Sequence, residues 1–319
     1  MEHPIQGLHH VTATVAGAQE DLDFAGGALA LRLIKQTVNF DNHGVYHFYY
    51  GDERGTPGTI WTTFPYQGKG VPVGAKGAGQ ITVTSFSVPA GSLDYWRERL
   101  QSQAIRFSEP APRFGEESLL ATDPSGLQLE LVSSPGDRRP PWSGSAVPAK
   151  AGIRGLHSVT LESRNPEATR RLLSQFLGFH PVNETGQRVR LGIGDGAAGR
   201  LVDLVDASDA PPARNGLGTV HHVAFAISDE DQQLRLRQEL LRLGLAVTEV
   251  MDRSYFRSIY FREPGGILFE VATVKPGFTI DEELESLGSC LKLPPWEEPN
   301  RSRIESELPS VRPPLREVS

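Results

Sequence analysis

Gly218 to Ile227, GTVHHVAFAI, decides the fold, because the chain carries three further stretches like it: Gly7 to Val15 (GLHHVTATV), Gly79 to Val88 (GQITVTSFSV) and Gly155 to Leu161 (GLHSVTL). Each is a short, alternating, β-branched run, the pattern of a half-buried strand. A polar turn and a helical pattern follow each one, near 17–30, 91–103, 166–177 and 229–244. In the last of these, Leu234, Leu236, Leu240, Leu241 and Leu245 recur near helical spacing behind Asp229, Glu230 and Asp231, whose charges suit a helix N-terminus. After every helix come further strand-like stretches ending in a turn and an apolar strand. Pro264-Gly265-Gly266-Ile267-Leu268-Phe269-Glu270 closes the fourth copy and Pro124-Ser125-Gly126-Leu127-Gln128-Leu129-Glu130 the second. The unit is βαβββ, used four times, and the fold class is α+β. Modules of this size cannot each bury their own sheet face, so they are expected to pair into two cupped sheets with helices outside.

The rest of the chain agrees with this plan. Its 319 residues hold roughly two domains' worth of core, so a metal found here is expected to be functional and not a folding staple. The 33 glycines and 24 prolines exceed the average share of ~12% and suit a turn-rich, β-containing chain. A net charge of −7 without a basic block removes the footprint of a nucleic-acid or anionic-membrane binder, which leaves a small molecule as the expected partner. One cysteine, Cys290, excludes an internal disulfide framework, fits a reducing compartment and reads as an inert tail residue. No basic leader and no long apolar run occur, so a soluble, cytoplasmic protein is expected. Residues 133–153 are rich in proline, glycine and serine and read as a linker between a first pair of modules, 1–132, and a second pair, 154–274. The tail, 275–319, contains Leu293-Pro294-Pro295-Trp296 and a short helical stretch near 300–308, and is expected to wrap over the body.

The aligned opening strands place His10, Val83, Ser158 and His222 at one position. Period-two alternation sends Val11, Val15, Val159, Leu161, Val223, Phe225 and Ile227 under the helices. His10 and His222 then face into the cup, while His9, His157 and His221 fall in the helix-side register. Glu270 lies in an apolar strand where an unpaired carboxylate would be costly to bury, and a metal ion would relieve that cost. Two imidazoles and one carboxylate form a facial triad with open adjacent positions, the ligand set of non-heme Fe(II). His10, His222 and Glu270 are therefore the candidate metal ligands. Glu130 copies the position of Glu270 without an inward histidine and reads as structural. A site built from Glu130 and His157 would need a register slip. His3, His43 and His180 fall in turns or at the terminus and are expected to be solvated.

The repeat, the GLHHVT opening, the strand pair Val38–Asp41 and Tyr46–Asp52, and the run Asp252–Phe261 together resemble the ring-cleaving dioxygenases of the vicinal oxygen chelate superfamily, in particular the hydroquinone-cleaving branch. The resemblance covers essentially the whole chain, including the Leu-Pro-Pro-Trp tail. It implies Fe(II) on His10, His222 and Glu270, an ion that Mn(II) can replace and Zn(II) can displace in purified protein. It also implies that the first module closes against the fourth and the second against the third. His9, Thr12, His221, Arg253 and Tyr260 would surround the ligands or touch substrate. The implied activity is Fe(II)-dependent, extradiol-type cleavage of a hydroquinone or other dihydroxylated aromatic, with both atoms of O2 inserted. A homo-oligomer is compatible with it.

Two alternatives remain at this level. A glyoxalase-type isomerase needs a further metal-binding acid where alignment of Gly58 with Gly266 places Thr62. A non-catalytic protein sequestering an aromatic compound or drug needs no inward triad.

Overall fold

Four βαβββ units follow one another along residues 4–313, the part of the chain that the computed structural model describes. His3 and residues 314–319 lie outside it. The first unit comprises β1 (Ile5–Val15), α1 (Ala18–Asp21) continuing into a wider π-helical stretch (Leu22–Ala28), β2 (Arg32–Asn39), β3 (Asn42–Gly51) and β4 (Ile60–Pro65). The second has β5 (Gln80–Val88), α2 (Leu93–Ser102), β6 (Phe107–Ser108), β7 (Ser118–Thr122) and β8 (Gln128–Ser133). The third has β9 (Gly155–Ser163), α3 (Pro166–Gln175), β10 (His180–Thr185), β11 (Arg188–Gly192) and β12 (Leu201–Asp206). The fourth has β13 (Thr219–Ile227), α4 (Glu230–Arg242), β14 (Met251–Asp252), β15 (Phe256–Arg262) and β16 (Leu268–Pro276).

These units form two curled eight-stranded sheets, in the orders β14-β15-β16-β13-β1-β4-β3-β2 and β10-β11-β12-β9-β5-β8-β7-β6. The first unit thus joins the fourth through antiparallel β1 and β13, and the second joins the third through β5 and β9. The helix-side set of the opening strands is buried in one core, including Val11, Val159, Val223 and Phe225. Helix α4 presents Leu236 and Leu240 to that core. Leu234 and Leu241 instead face solvent, so only part of that leucine pattern marks the buried stripe.

Where the two sheets meet, glycine permits close approach. Gly7 and Gly155 have φ of +147° and +139°, and a Cβ there would come within 2.8 Å of the Gly199 oxygen and 2.9 Å of the Gly58 oxygen. The next residues bond across the same junction, Leu8 N–H to Gly199 O and Leu156 N–H to Gly58 O, each at 2.8 Å. Residues 134–154 carry no strand or helix yet pack tightly: Val147 and Ala151 are buried, and the Trp96 indole donates to Ala151 O.

The tail follows the exposed edge of β2 and covers it. Leu291 bridges Gln36, Lys292 N–H donates to Gln36 O, and the Gln36 amide donates to Gly288 O. Lys35, fully buried, is met by Asp281 and Glu282 from the tail. The short helix α5 (Arg301–Glu307) buries Ile304. His43, expected to be solvated, is half-buried and pairs with Glu297 of the tail at 3.3 Å, whereas His180 is exposed on β10. Cys290 is exposed and free. Among the described residues no helix is long and apolar enough to cross a membrane.

All four opening strands carry an extra residue at the same place. Pairing steps from Leu8↔Phe225 to His10↔Ala224, passing over His9, and from Thr12↔His222 to Ala13↔Val220, passing over His221. In the second sheet the residues passed over are Thr82 and His157. Such bulges break strict alternation and re-aim the side chain of the extra residue. This corrects the sequence reading of His9, His157 and His221 as helix-side residues: the His9 ring lies 5.0 Å from that of His10, and the His221 ring 5.0 Å from that of His222.

Candidate metal centre

Strands β1, β13 and β16 lie side by side at the middle of the first sheet, and each contributes one inward group. His10 and His222 sit on the facing opening strands, and Glu270 lies opposite Ala224, two residues beyond His222. His10 Nε2 is 3.3 Å from His222 Nε2, and Glu270 Oε2 is 3.2 and 2.8 Å from those two nitrogens. All three side chains are buried. Among the described residues this is the one cluster of three or more His, Cys, Asp or Glu groups able to hold an ion.

The donor set fits a first-row metal. Metal bonds of about 2.0–2.2 Å meeting at right angles leave neighbouring donors about 3 Å apart, close to the separations found here. Despite its short contacts, Glu270 Oε2 accepts no hydrogen bond of acceptable geometry, while Oε1 is satisfied by the Ser258 hydroxyl. A buried carboxylate oxygen with no hydrogen aimed at it is an orphan that a cation would satisfy. Burial alone would raise the Glu270 carboxyl, but its two histidine neighbours hold it well below the ordinary range. Burial also lowers His222. A neutral imidazole beside an ionised carboxylate is the ligating form.

The bulged histidines stand behind the candidate ligands. His9 Nδ1 meets His10 Nδ1 at 2.9 Å, and His221 Nδ1 meets His222 Nδ1 at 2.7 Å. Burial, chiefly, pushes both outer imidazoles down to about 3, so they are neutral. If His10 and His222 carry their protons on Nδ1 and donate outward, each Nε2 is left with its lone pair facing the other donors.

A cavity of about 360 Å³ opens over the three donors, lined by residues of the first and fourth units. His221, Arg253 and Tyr260 form part of its wall, and His9 and Thr12 do not. Tyr260 pairs with Glu270 across β15 and β16, and Arg253 Nε donates to its hydroxyl at 3.1 Å. Burial pushes the Tyr260 phenol up, so it remains an O–H donor. Thr12, opposite His222, accepts from Thr62, which is bonded to His47 Nε2 at 2.9 Å. Thr62 gives its one proton to Thr12, so His47 must donate to Thr62 and keep its Nδ1 lone pair.

His47, Tyr49, Phe256, Asn39 and Tyr66 also line the cavity, and sequence reasoning did not single them out. Strand β3 reads Tyr46-His47-Phe48-Tyr49-Tyr50, so its two faces are almost equally aromatic and hydropathy does not separate them. The signal was the period alone: Tyr46 stacks on Phe48 at 4.8 Å, whereas His47 lies 4.0 Å from Tyr49 on the cup side. Phe256 packs at 4.9 and 5.2 Å from the His9 and His10 rings.

The second sheet provides a control built on the same frame. Thr62, Glu130, Asp203 and Glu270 hold equivalent register positions beside the four opening strands. Glu130 is buried but receives Arg113 and the hydroxyls of Ser85 and Ser118. Asp203 is met by Arg188 and Arg190. The bulged His157 turns to Glu116, which also binds Arg190. No Glu130–His157 site forms, since both groups are engaged elsewhere.

With this geometry in hand, known proteins supply the context. The model of the Glyoxalase/Bleomycin resistance protein/Dioxygenase superfamily matches residues 155–271. MhqO of Bacillus subtilis (strain 168), named provisionally as a ring-cleaving dioxygenase, is 42% identical over 310 residues, 97% of each chain. The chlorohydroquinone/hydroquinone 1,2-dioxygenase of Sphingobium indicum is 38% identical over 299 residues, covering 91% of this chain and 92% of that one. A Bacillus subtilis crystal structure described provisionally as a dioxygenase superposes with a TM-score of 0.91 at 40% identity, covering 98% and 99% of the two chains. Glyoxalase I from Zea mays, at 14% identity and a TM-score of 0.63 over 84% and 92%, shares the fold.

Proposed function

Because the chain belongs to the Glyoxalase/Bleomycin resistance protein/Dioxygenase superfamily, we propose that it is an Fe(II)-dependent, extradiol-type ring-cleaving dioxygenase acting on hydroquinone-type substrates and inserting both atoms of O2. The observation that carries this reading is the meeting of His10 Nε2, His222 Nε2 and Glu270 Oε2 beneath the cavity, with Oε2 free of hydrogen bonds. His10, His222 and Glu270 would hold the ion, which would supply Lewis-acid activation of a phenol and redox chemistry towards dioxygen.

The chain's own groups do the rest. Arg253 presents a fixed positive charge at the cavity wall, suited to stabilising a phenolate. Tyr260, kept protonated, donates its O–H to oxygen on the substrate. His47, kept neutral by burial, offers the Nδ1 lone pair as a hydrogen-bond acceptor for the phenolic O–H. Tyr49, Phe64 and Phe256 exclude water from the ring's surroundings. His9 and His221 set the tautomers of the ligating imidazoles, and Thr12 orients His47 through Thr62. The functional unit in this reading is the first and fourth modules, 1–132 and 154–274 each giving half, with the second and third as scaffold. Thr62, where a further acid would be required, weighs against a glyoxalase-type isomerase.

The test replaces His10, His222, Glu270 and His157 separately and follows bound iron and oxygen uptake with hydroquinone. The first three variants should lose both, and His157→Ala should keep both. Full activity without His10, or loss only without His157, overturns the assignment.

A further inference from the structure

At the end of the cavity remote from the donors, Asn39 and Tyr66 form a polar pair that the mechanism above leaves unused. Asn39 ends β2, the edge strand, three strands from β1, or about 14 Å along the curled sheet at the usual spacing. Its position is fixed at both ends of its amide: Oδ1 accepts the Asp41 backbone N–H at 2.9 Å, and Nδ2 donates to the Tyr66 hydroxyl at 2.8 Å. The Tyr66 oxygen is thereby used as an acceptor, and its own proton meets no acceptor among the described residues. Both side chains line the same cavity as the three donors.

The other polar groups of the cavity belong to the metal end or to one another. His47 is tied through Thr62 to Thr12, opposite His222. Tyr260 lies opposite Glu270 and holds Arg253, which also reaches Asp41 at 3.3 Å and Met251 Sδ at 3.6 Å. Thr248 accepts the Tyr260 N–H. Between the two ends stands Phe64, whose ring lies 6.1 Å from that of His221 and 6.3 Å from that of Tyr66, while Tyr49 and Phe256 complete the aromatic lining. An aromatic ring seated between them with one oxygen at the metal end would bring only an oxygen on its opposite side to Tyr66.

Resting on the ring-cleavage reading of this cavity, we propose that Tyr66 donates a hydrogen bond to the distal hydroxyl of a para-dihydroxylated ring, with Asn39 as the residue that positions it. The pair selects hydroquinones over rings that lack the distal oxygen. In a catechol both oxygens lie at one end of the ring, so Tyr66 has nothing to donate to.

The test measures anaerobic binding of hydroquinone and of phenol to Mn(II)-loaded protein by calorimetry, for the wild type, Tyr66→Phe, Asn39→Leu and the double variant. Tyr66→Phe should weaken hydroquinone by about three- to tenfold, the range for one hydrogen bond, and leave phenol unchanged. Asn39→Leu should lower hydroquinone affinity in the same sense, and the double variant should match Tyr66→Phe alone, because Asn39 acts through Tyr66. Unchanged phenol binding also certifies that the cavity is folded. The proposal is overturned if the wild type does not discriminate between the two ligands, if both are weakened equally, or if neither is. Oxygen uptake with hydroquinone by the wild type is a separate readout: its absence would end the dioxygenase reading while the binding ratio still decided the role of Tyr66.

Discussion

Glu130 and Glu270 hold equivalent positions in the two sheets, yet their surroundings predict opposite responses to perturbation. Arg113→Met leaves the fully buried Glu130 with two serine hydroxyls and no cation. Breaking a buried pair in this way costs about 3–5 kcal/mol. Arg113 is 26% exposed and both serines remain, so the lower end, about 3 kcal/mol, is expected. At about 2 °C per kcal/mol for a chain of this size, the melting temperature should fall by about 6 °C. Glu270→Gln in chelated protein removes a charge that burial opposes and the two histidines favour, so the contributions offset and the loss should be smaller than in Arg113→Met. Metal then reverses the comparison. An ion at a hundred times its Kd adds about 2.7 kcal/mol to any chain that binds it, about 5 °C, and should do so for the wild type and Arg113→Met but not for Glu270→Gln. Scanning calorimetry of the three proteins with chelator and with Fe(II) or Mn(II), under anaerobic conditions, reads all six values. A metal-induced shift that survives in Glu270→Gln, or a metal-free loss there as large as in Arg113→Met, refutes the reasoning.

Three further outcomes follow from other parts of the molecule. His9→Phe and His221→Phe should each weaken Mn(II) binding by about 10- to 100-fold in a calorimetric titration, because each removes the partner of a ligand's Nδ1; unchanged affinity would refute the tautomer role. Burial pushes the Asp21 carboxyl up to about 7 despite the Thr63 and Tyr50 hydroxyls that bond it, and a raised value stabilises the fold fully below about pH 4 and is lost as pH rises to 7. Asp21→Asn should therefore gain stability relative to the wild type across that window, by at most about 4 kcal/mol in urea titrations, and a pH-independent difference would contradict it. Lys35→Met strands two tail carboxylates and should cost about 3 kcal/mol or more, most of it recovered in Lys35→Met/Asp281→Asn/Glu282→Gln; no recovery would mean that the lysine acts by packing.

The repeat made most of the fold legible. Four similar opening strands, each with its helix and closing strand, suffice to give the βαβββ unit, and identical residue types at positions 10 and 222 single out one junction. What strict alternation could not supply was the bulge. One extra residue in a strand leaves no mark on hydropathy, so His9 and His221 read as helix-side residues although their rings stand against those of His10 and His222. The far wall of the cavity was hidden for a different reason. Asn39 ends β2 and Tyr66 follows β4, and the two matter only because the sheet curls, a long-range fact with no local pattern.

Since all four modules share the bulge and the register, backbone geometry alone does not make a metal centre. The second sheet brings two acids, Glu130 and Asp203, to the positions that Thr62 and Glu270 hold in the first, and it carries a bulged histidine as well. It lacks histidine at 83 and 158, and it has Arg113, Arg188 and Arg190 aimed at the acids. Guanidinium groups neutralise those carboxylates with directed hydrogen bonds, so no orphan oxygen remains to attract an ion. In the first sheet the one arginine lining the cavity among the described residues, Arg253, is turned onto Tyr260 and Asp41, and Glu270 keeps a bare oxygen. The two sheets thus differ in what each buried acid meets: guanidinium groups in the second, two imidazoles in the first. Directed ion pairs close off the acids of the second sheet, while the pair of imidazoles leaves Glu270 Oε2 open to the metal ion that the proposed function requires.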